Sequence, residues 1–173
     1  MKKVSVLVAM VVLGGIAFAS SISIPWFVDN SPAEAGWPPR DSSQGVTTLV
    51  FLKNNTDDVV TCEVAYYTQG GNFVGPIYPN NTFTIAAKSS VAFRPAINDP
   101  DGSVVAGKKG QEGSQGNAVP DRPLTTLPGA QENDGKKNGS ISVTWQGGDK
   151  DVQGMVATCS SVMSYAHLLP PGF

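Results

Sequence analysis

From Val59 to Tyr67 the chain reads VVTCEVAYY, with Val60, Cys62, Val64 and Tyr66 on one side of an extended backbone and Thr61, Glu63 and Ala65 on the other. Successive side chains point to opposite faces of a strand, so this pattern predicts a strand with one face buried. The same period of two recurs downstream. Asn81 to Ala87 turns Phe83 and Ile85 inward, and Ser140 to Gln146 does so with Ile141, Val143 and Trp145. Val91 to Pro95 turns Val91 and Phe93 inward and leaves Ala92 and Arg94 outward. Val46 to Lys53 holds an unbroken apolar centre, Leu49-Val50-Phe51-Leu52, which predicts a strand covered on both faces or lying centrally. Val152 to Leu169 is longer than an ordinary strand, so a bulge or bend is expected near Ser160-Ser161. Phe73 to Tyr78 reads as a short strand made irregular by Gly75-Pro76. Beyond residue 19 no segment places apolar residues at i, i+3, i+4 and i+7 without Gly or Pro interrupting it, so the fold class is all-β.

Turn chemistry suggests how these runs connect. Asn54 to Asp58, NNTDD, is a short polar link that predicts a hairpin between Val46 to Lys53 and Val59 to Tyr67. Lys88-Ser89-Ser90 predicts a return of the chain into Val91 to Pro95, and Gly147-Gly148-Asp149-Lys150 is a further turn. Ser20 to Val28 contains Pro25, which cannot donate to a ladder, so it reads as an edge strand or an extended arm. Trp26 and Phe27 on it need an apolar seat, on their own domain or on a neighbouring subunit. Residues 20–44 thus form an arm and loop, ahead of a single antiparallel β-sandwich over 45–173. From 98 to 138 glycine and proline recur and apolar residues thin out, which predicts a long insertion without regular structure. The strand rhythm resembles immunoglobulin-like and fibronectin-type sandwiches, and a jelly-roll-like order fits it too. Cysteine spacing and the missing strand-C tryptophan depart from the true immunoglobulin signature, so no family is assigned.

The first 19 residues stand apart. MKK precedes an apolar run to Ala19, and Ala17-Phe18-Ala19 offers small residues at signal-peptidase spacing, which predicts a signal peptide over 1–19. The chain is then secreted, periplasmic or on the cell surface, and attached to a membrane only if the segment stays uncleaved. Removing these 19 of 173 residues leaves 154, enough for one domain with a sizeable core, and takes the formal charge from −2 to −4 by loss of Lys2 and Lys3. A mildly acidic chain has no electrostatic attraction for nucleic acid. In an oxidising compartment the two cysteines, Cys62 and Cys159, are expected to pair as a disulfide across the sandwich, closing a loop worth about 4 to 5 kcal/mol.

Candidate chemistry is sparse. His167 is the only histidine and has no partner at ligand or triad spacing, and Ser160-Ser161 lacks a nucleophile elbow. Asn98, Asp99 and Asp101, followed by Gly102, supply oxygen ligands on a turn, the raw material of a Ca2+ site, although EF-hand spacing and its terminal Glu are missing. Trp37, Tyr67 and Tyr78 are aromatic candidates for stacking on sugar rings. Asn54, Asn80 and Asn138 each open an N-x-[ST] triplet within a predicted turn. These features favour a non-catalytic protein that acts by contact, as a structural, assembly or adhesion subunit capable of self-association by strand addition. That role leans on the two cysteine-bearing strands meeting back to back. The alternative is a carbohydrate-binding module, with calcium as an aid. An enzyme whose residues meet only in space is a third class.

Overall fold

The computed structural model describes residues 19–31, 39, 43, 45–96, 119–123 and 137–170. The predicted signal segment therefore lies outside the described residues except for Ala19, as does most of 98–138. Nine strands make one antiparallel sheet: β1 (Ala19–Asp29), β2 (Thr47–Asn54), β3 (Val60–Thr68), β4 (Phe73–Gly75), β5 (Thr82–Ile85), β6 (Ser90–Phe93), β7 (Lys137–Gln146), β8 (Val152–Cys159) and β9 (Ser164–Leu169). The order is β4-β3-β7-β1-β2-β8-β9, with β5 also on β3 and β6 also on β2. No α-helix occurs among the described residues.

The alternating runs place their side chains as expected. Val60, Cys62, Val64 and Tyr66 on β3, Phe83 and Ile85 on β5, and Ile141, Val143 and Trp145 on β7 are all buried in one apolar cluster. Val50 and Leu52 of β2, Val156 of β8 and Leu169 of β9 belong to the same cluster. Where a Cβ added to Gly154 of β8 would stand, the side chains of Ile22 on β1 and Leu169 on β9 lie 3.1 to 3.3 Å away. The core thus draws on strands that are not neighbours in the ladder.

β1 is no free arm, and it keeps the character of an edge on its β2 side, where Asp29 alone is paired. It pairs with β7 from Ala19↔Gln146 to Asp29↔Lys137, and it meets β2 at Asp29↔Thr47. Pro25 is accommodated by a bulge. The register passes from Ile24↔Ile141 to Phe27↔Gly139, so β1 spends one more residue than β7. That extra residue keeps both Ile24 and Phe27 inward while Trp26 stays 44% exposed. Phe27 packs within its own chain, edge-on to Tyr66 with ring centroids 6.5 Å apart.

Two expected hairpins are absent. β2 pairs with β8, β6 and β1, whereas β3 pairs with β4, β5 and β7. The NNTDD link therefore carries the chain across the molecule and does not fold it back. Asn54 holds that crossing: its buried side-chain nitrogen lies 2.7 to 3.1 Å from the carbonyls of Asp58, Ile85 and Ala86, and its Oδ1 accepts from Thr56 N at 2.8 Å. Likewise β5 and β6 join different neighbours, although they follow one another in sequence. Asn54→Ala strands several buried carbonyls at once, and a loss of about 2 to 3 kcal/mol is expected, measured by urea unfolding.

The long run from Val152 does bend near Ser160-Ser161, but it reverses fully. β8 and β9 pair from Gly154↔Leu169 to Cys159↔Ser164, around a turn in which Ser160 N donates to Met163 O at 2.7 Å. Part of the Gly/Pro-rich insertion returns to the body: Val119 is in the core, Arg122 is buried, and Tyr66 donates its hydroxyl to Pro120 O at 2.9 Å.

Candidate functional site

Cys62 and Cys159 are both free and buried, which corrects the expected disulfide. Strand register gives the reason. Cys62 aligns through Trp145 with Ser20, at the start of β1, and Cys159 aligns through Thr47 with Asp29, at its end. Those positions are separated by roughly 30 Å of extended chain, and a disulfide needs Cα atoms within about 7 Å. Burial pushes the Cys62 thiol up to about 12. It raises Cys159 as well, opposed in part by the nearby Arg94 charge. Both thiols stay neutral at ordinary pH and behave as small apolar groups.

A testable pH dependence follows for Cys62. The unfolded chain loses that proton near the ordinary thiol value of 9.0 while the folded chain keeps it to about 12. This contribution is intact below pH 9 and is lost as pH rises through the interval. Stability should fall with a component of about 1.4 kcal/mol per pH unit that is absent from Cys62→Ala, read by urea midpoints across that window.

The junction of β1 and β2 holds a polar cluster that the sequence pattern did not reveal. Arg94, expected to face outward, is 1% exposed, and its Nη2 donates to Asp29 Oδ1 at 2.8 Å. The same nitrogen lies 3.3 Å from Ser31 O, and Thr47 Oγ1 is 3.4 Å from Asp29 Oδ1. Nearby in the chain, Arg122 Nε donates to Pro95 O at 2.9 Å and its guanidinium carbon stands 5.9 Å from the Phe27 ring centre. The burial of Arg94, Arg122, Asp29 and Ser31 makes this an internal brace at the one ladder pair that joins β1 to β2.

Of the aromatic candidates, Trp37 lies outside the described residues. Tyr67 is half-buried and edge-on to Phe73, with centroids 5.8 Å apart. Tyr78 is 72% exposed in the turn where Asn80 N donates to Ile77 O. Phe73 and Ile77 are exposed beside them in sequence, and alternation does not mark either because neither sits in a long alternating run. Asn98, Asp99 and Asp101 of the expected Ca2+ loop lie outside the described residues. Among the described residues no three His, Cys, Asp or Glu side chains gather as a metal site. His167 is exposed on β9 and stacks parallel to Tyr165 at 6.5 Å. Of the three triplet asparagines, Asn54 is buried and Asn138 lies in β7, so only Asn80 keeps the exposed turn position expected of all three.

A second exposed apolar surface among the described residues is β9 itself. Val162 and Met163 in the turn before it, and Tyr165 and Leu168 along it, are all more than half exposed. β9 ends the sheet order, so among the described residues nothing pairs with its outer edge. No family model, no curated protein and no solved structure matches this chain.

Proposed function

We propose that the chain is an exported or cell-envelope β-sandwich protein that acts by contact and not by catalysis, as a structural, assembly or adhesion subunit. The observation that carries this reading is the open, apolar edge strand β9, whose unpaired backbone groups are a template for another strand. In this reading β5, β4, β3, β7 and β1 form one layer and β6, β2, β8 and β9 the other, joined at Asp29↔Thr47. Ile22 of β1 lying over Gly154 of β8 supports that layering. The leader supports export. Cys62 and Cys159 do not meet, so the back-to-back pairing of their strands no longer supports this reading, which rests on β9.

Size exclusion and negative-stain microscopy of the chain purified after export test the reading. Concentration-dependent assemblies are expected, and monomers at every concentration contradict a self-assembling subunit. A second reading, carbohydrate binding, is favoured by the exposed Tyr78 and the Tyr67–Phe73 ring pair. A glycan array tests it, with Tyr78→Ala abolishing the signal if sugar stacks there.

A further inference from the structure

We infer that two copies of this chain join through β9, antiparallel and edge to edge about a two-fold axis at Ala166, so that their sheets become continuous. The inference rests on the contact reading above and specifies its surface.

Four observations select this occupant. First, natural edges are blunted by lysine, proline or a bulge, and β9 has none of these: its register with β8 runs unbroken over six pairs and the nearest proline, Pro170, follows the strand. Secondly, no Asp, Glu, Lys or Arg occurs from Val152 to Phe173, so two β9 edges approach without like-charge repulsion, and a charged partner gains no ion pair there. Thirdly, the other end of the sheet order offers β4, three residues, and β5, four residues, with Gly75-Pro76 at the close of β4, while of the remaining edges β6 has four residues and β1, paired with β2 at one position, carries Pro25 and a bulge. A head-to-tail contact of β9 with that end satisfies fewer backbone groups than β9 on β9, which matches two six-residue strands. Isologous pairing closes as a dimer, and head-to-tail pairing grows a filament.

The fourth observation sets the register. A two-fold axis normal to a sheet keeps each side chain on its own face, so the strands must cross at a residue facing its own copy. Crossing at Ala166 puts the smallest side chain of the strand on the axis. It also sets Tyr165 of each copy opposite His167 of the other, extending the ring stack already present in one chain. Ser164 then faces Leu168 of the second copy.

Three variants of the exported chain test this, each checked first for an unchanged thermal melt, since the substituted side chains are exposed. Wild type is expected to show a monomer–dimer equilibrium by sedimentation velocity, and Ala166→Lys, which brings two ammonium groups together on the axis, to sediment as monomer throughout. Ala166→Cys is expected to form an interchain disulfide under diamide, because directly opposed Cβ atoms lie about 5 Å apart. Ser164→Cys is expected to form none, because its own copy is roughly 13 Å away along the strand. A wild-type dimer untouched by Ala166→Lys overturns the β9 site while leaving the contact reading intact. Filaments in place of dimers overturn the two-fold arrangement in favour of head-to-tail addition, and crosslinking through Ser164→Cys overturns the register. A wild type that stays monomeric overturns both the inference and the self-assembling subunit on which it rests.

Discussion

Replacing Gly139 by alanine is expected to destabilise the protein by on the order of 4 kcal/mol, enough to lower the melting temperature by roughly 10 °C. β7 lies between β1 and β3, and Gly139 aligns with Phe27 on one side and Thr68 on the other. A Cβ there would fall directly on the Tyr67 carbonyl oxygen and 3.0 Å from Phe27 Cε1. One obstacle is backbone, and the other is a ring already packed on Tyr66, so neither yields cheaply. Moving β7 away from β3 presses it into β1. Gly70→Ala is the control, since its Cβ meets only side-chain atoms at 3.8 and 3.9 Å, and its melt should stay within about 0.5 kcal/mol of wild type. Equal melts for the two variants would show that β3 and β7 do not approach as described.

Arg94→Met is expected to cost about 3 to 5 kcal/mol in urea unfolding, because it leaves the Asp29 carboxylate buried without its 2.8 Å partner. The cost has little to do with the net worth of the ion pair, which also bore the desolvation of two charges. A double replacement, Asp29→Leu with Arg94→Met, should therefore recover much of the loss, with a coupling energy well above that of distant sites. Purely additive effects would mean that the two side chains do not meet at the β1–β2 junction.

What could be read from the sequence was local. Strand character is carried by adjacent residues, so the alternation of Val60, Cys62, Val64 and Tyr66, or of Ile141, Val143 and Trp145, sufficed to find β3 and β7 and the side each buries. Pairing partners are a global property and were not legible. The NNTDD link has hairpin composition, yet its conformation is held by Asn54 reaching Ile85 and Ala86, about 30 residues away in sequence. Pro25 marked β1 as an edge, which it is on its β2 side, whereas the bulge that seats Pro25 against β7 is invisible until the partner strand is known. The β8–β9 reversal passes through Ser160 to Met163 without Gly or Pro, so the stretch from Val152 to Leu169 read as one long strand although it holds two. Arg94 looked solvent-facing by alternation, and only Asp29, 65 residues earlier, explains its burial. For the cysteines the alternation correctly implied burial, but the distance along the strands that keeps the sulfurs apart depends on register.

The placement of β1 decides the rest: it pairs along its length with β7, meets β2 at Asp29↔Thr47 and carries Asp29 to Arg94. Backbone amide hydrogen exchange of the protein, followed residue by residue at low concentration, tests that placement most directly. A strand laddered to β7 with Ile22 and Ile24 in the core opens only with the whole domain, so the segment of β1 around them should exchange as slowly as Val64 on β3 and Val143 on β7. Fast exchange along β1, while β3 and β7 stay protected, would mean a detached arm and would contradict the sheet order on which this account depends.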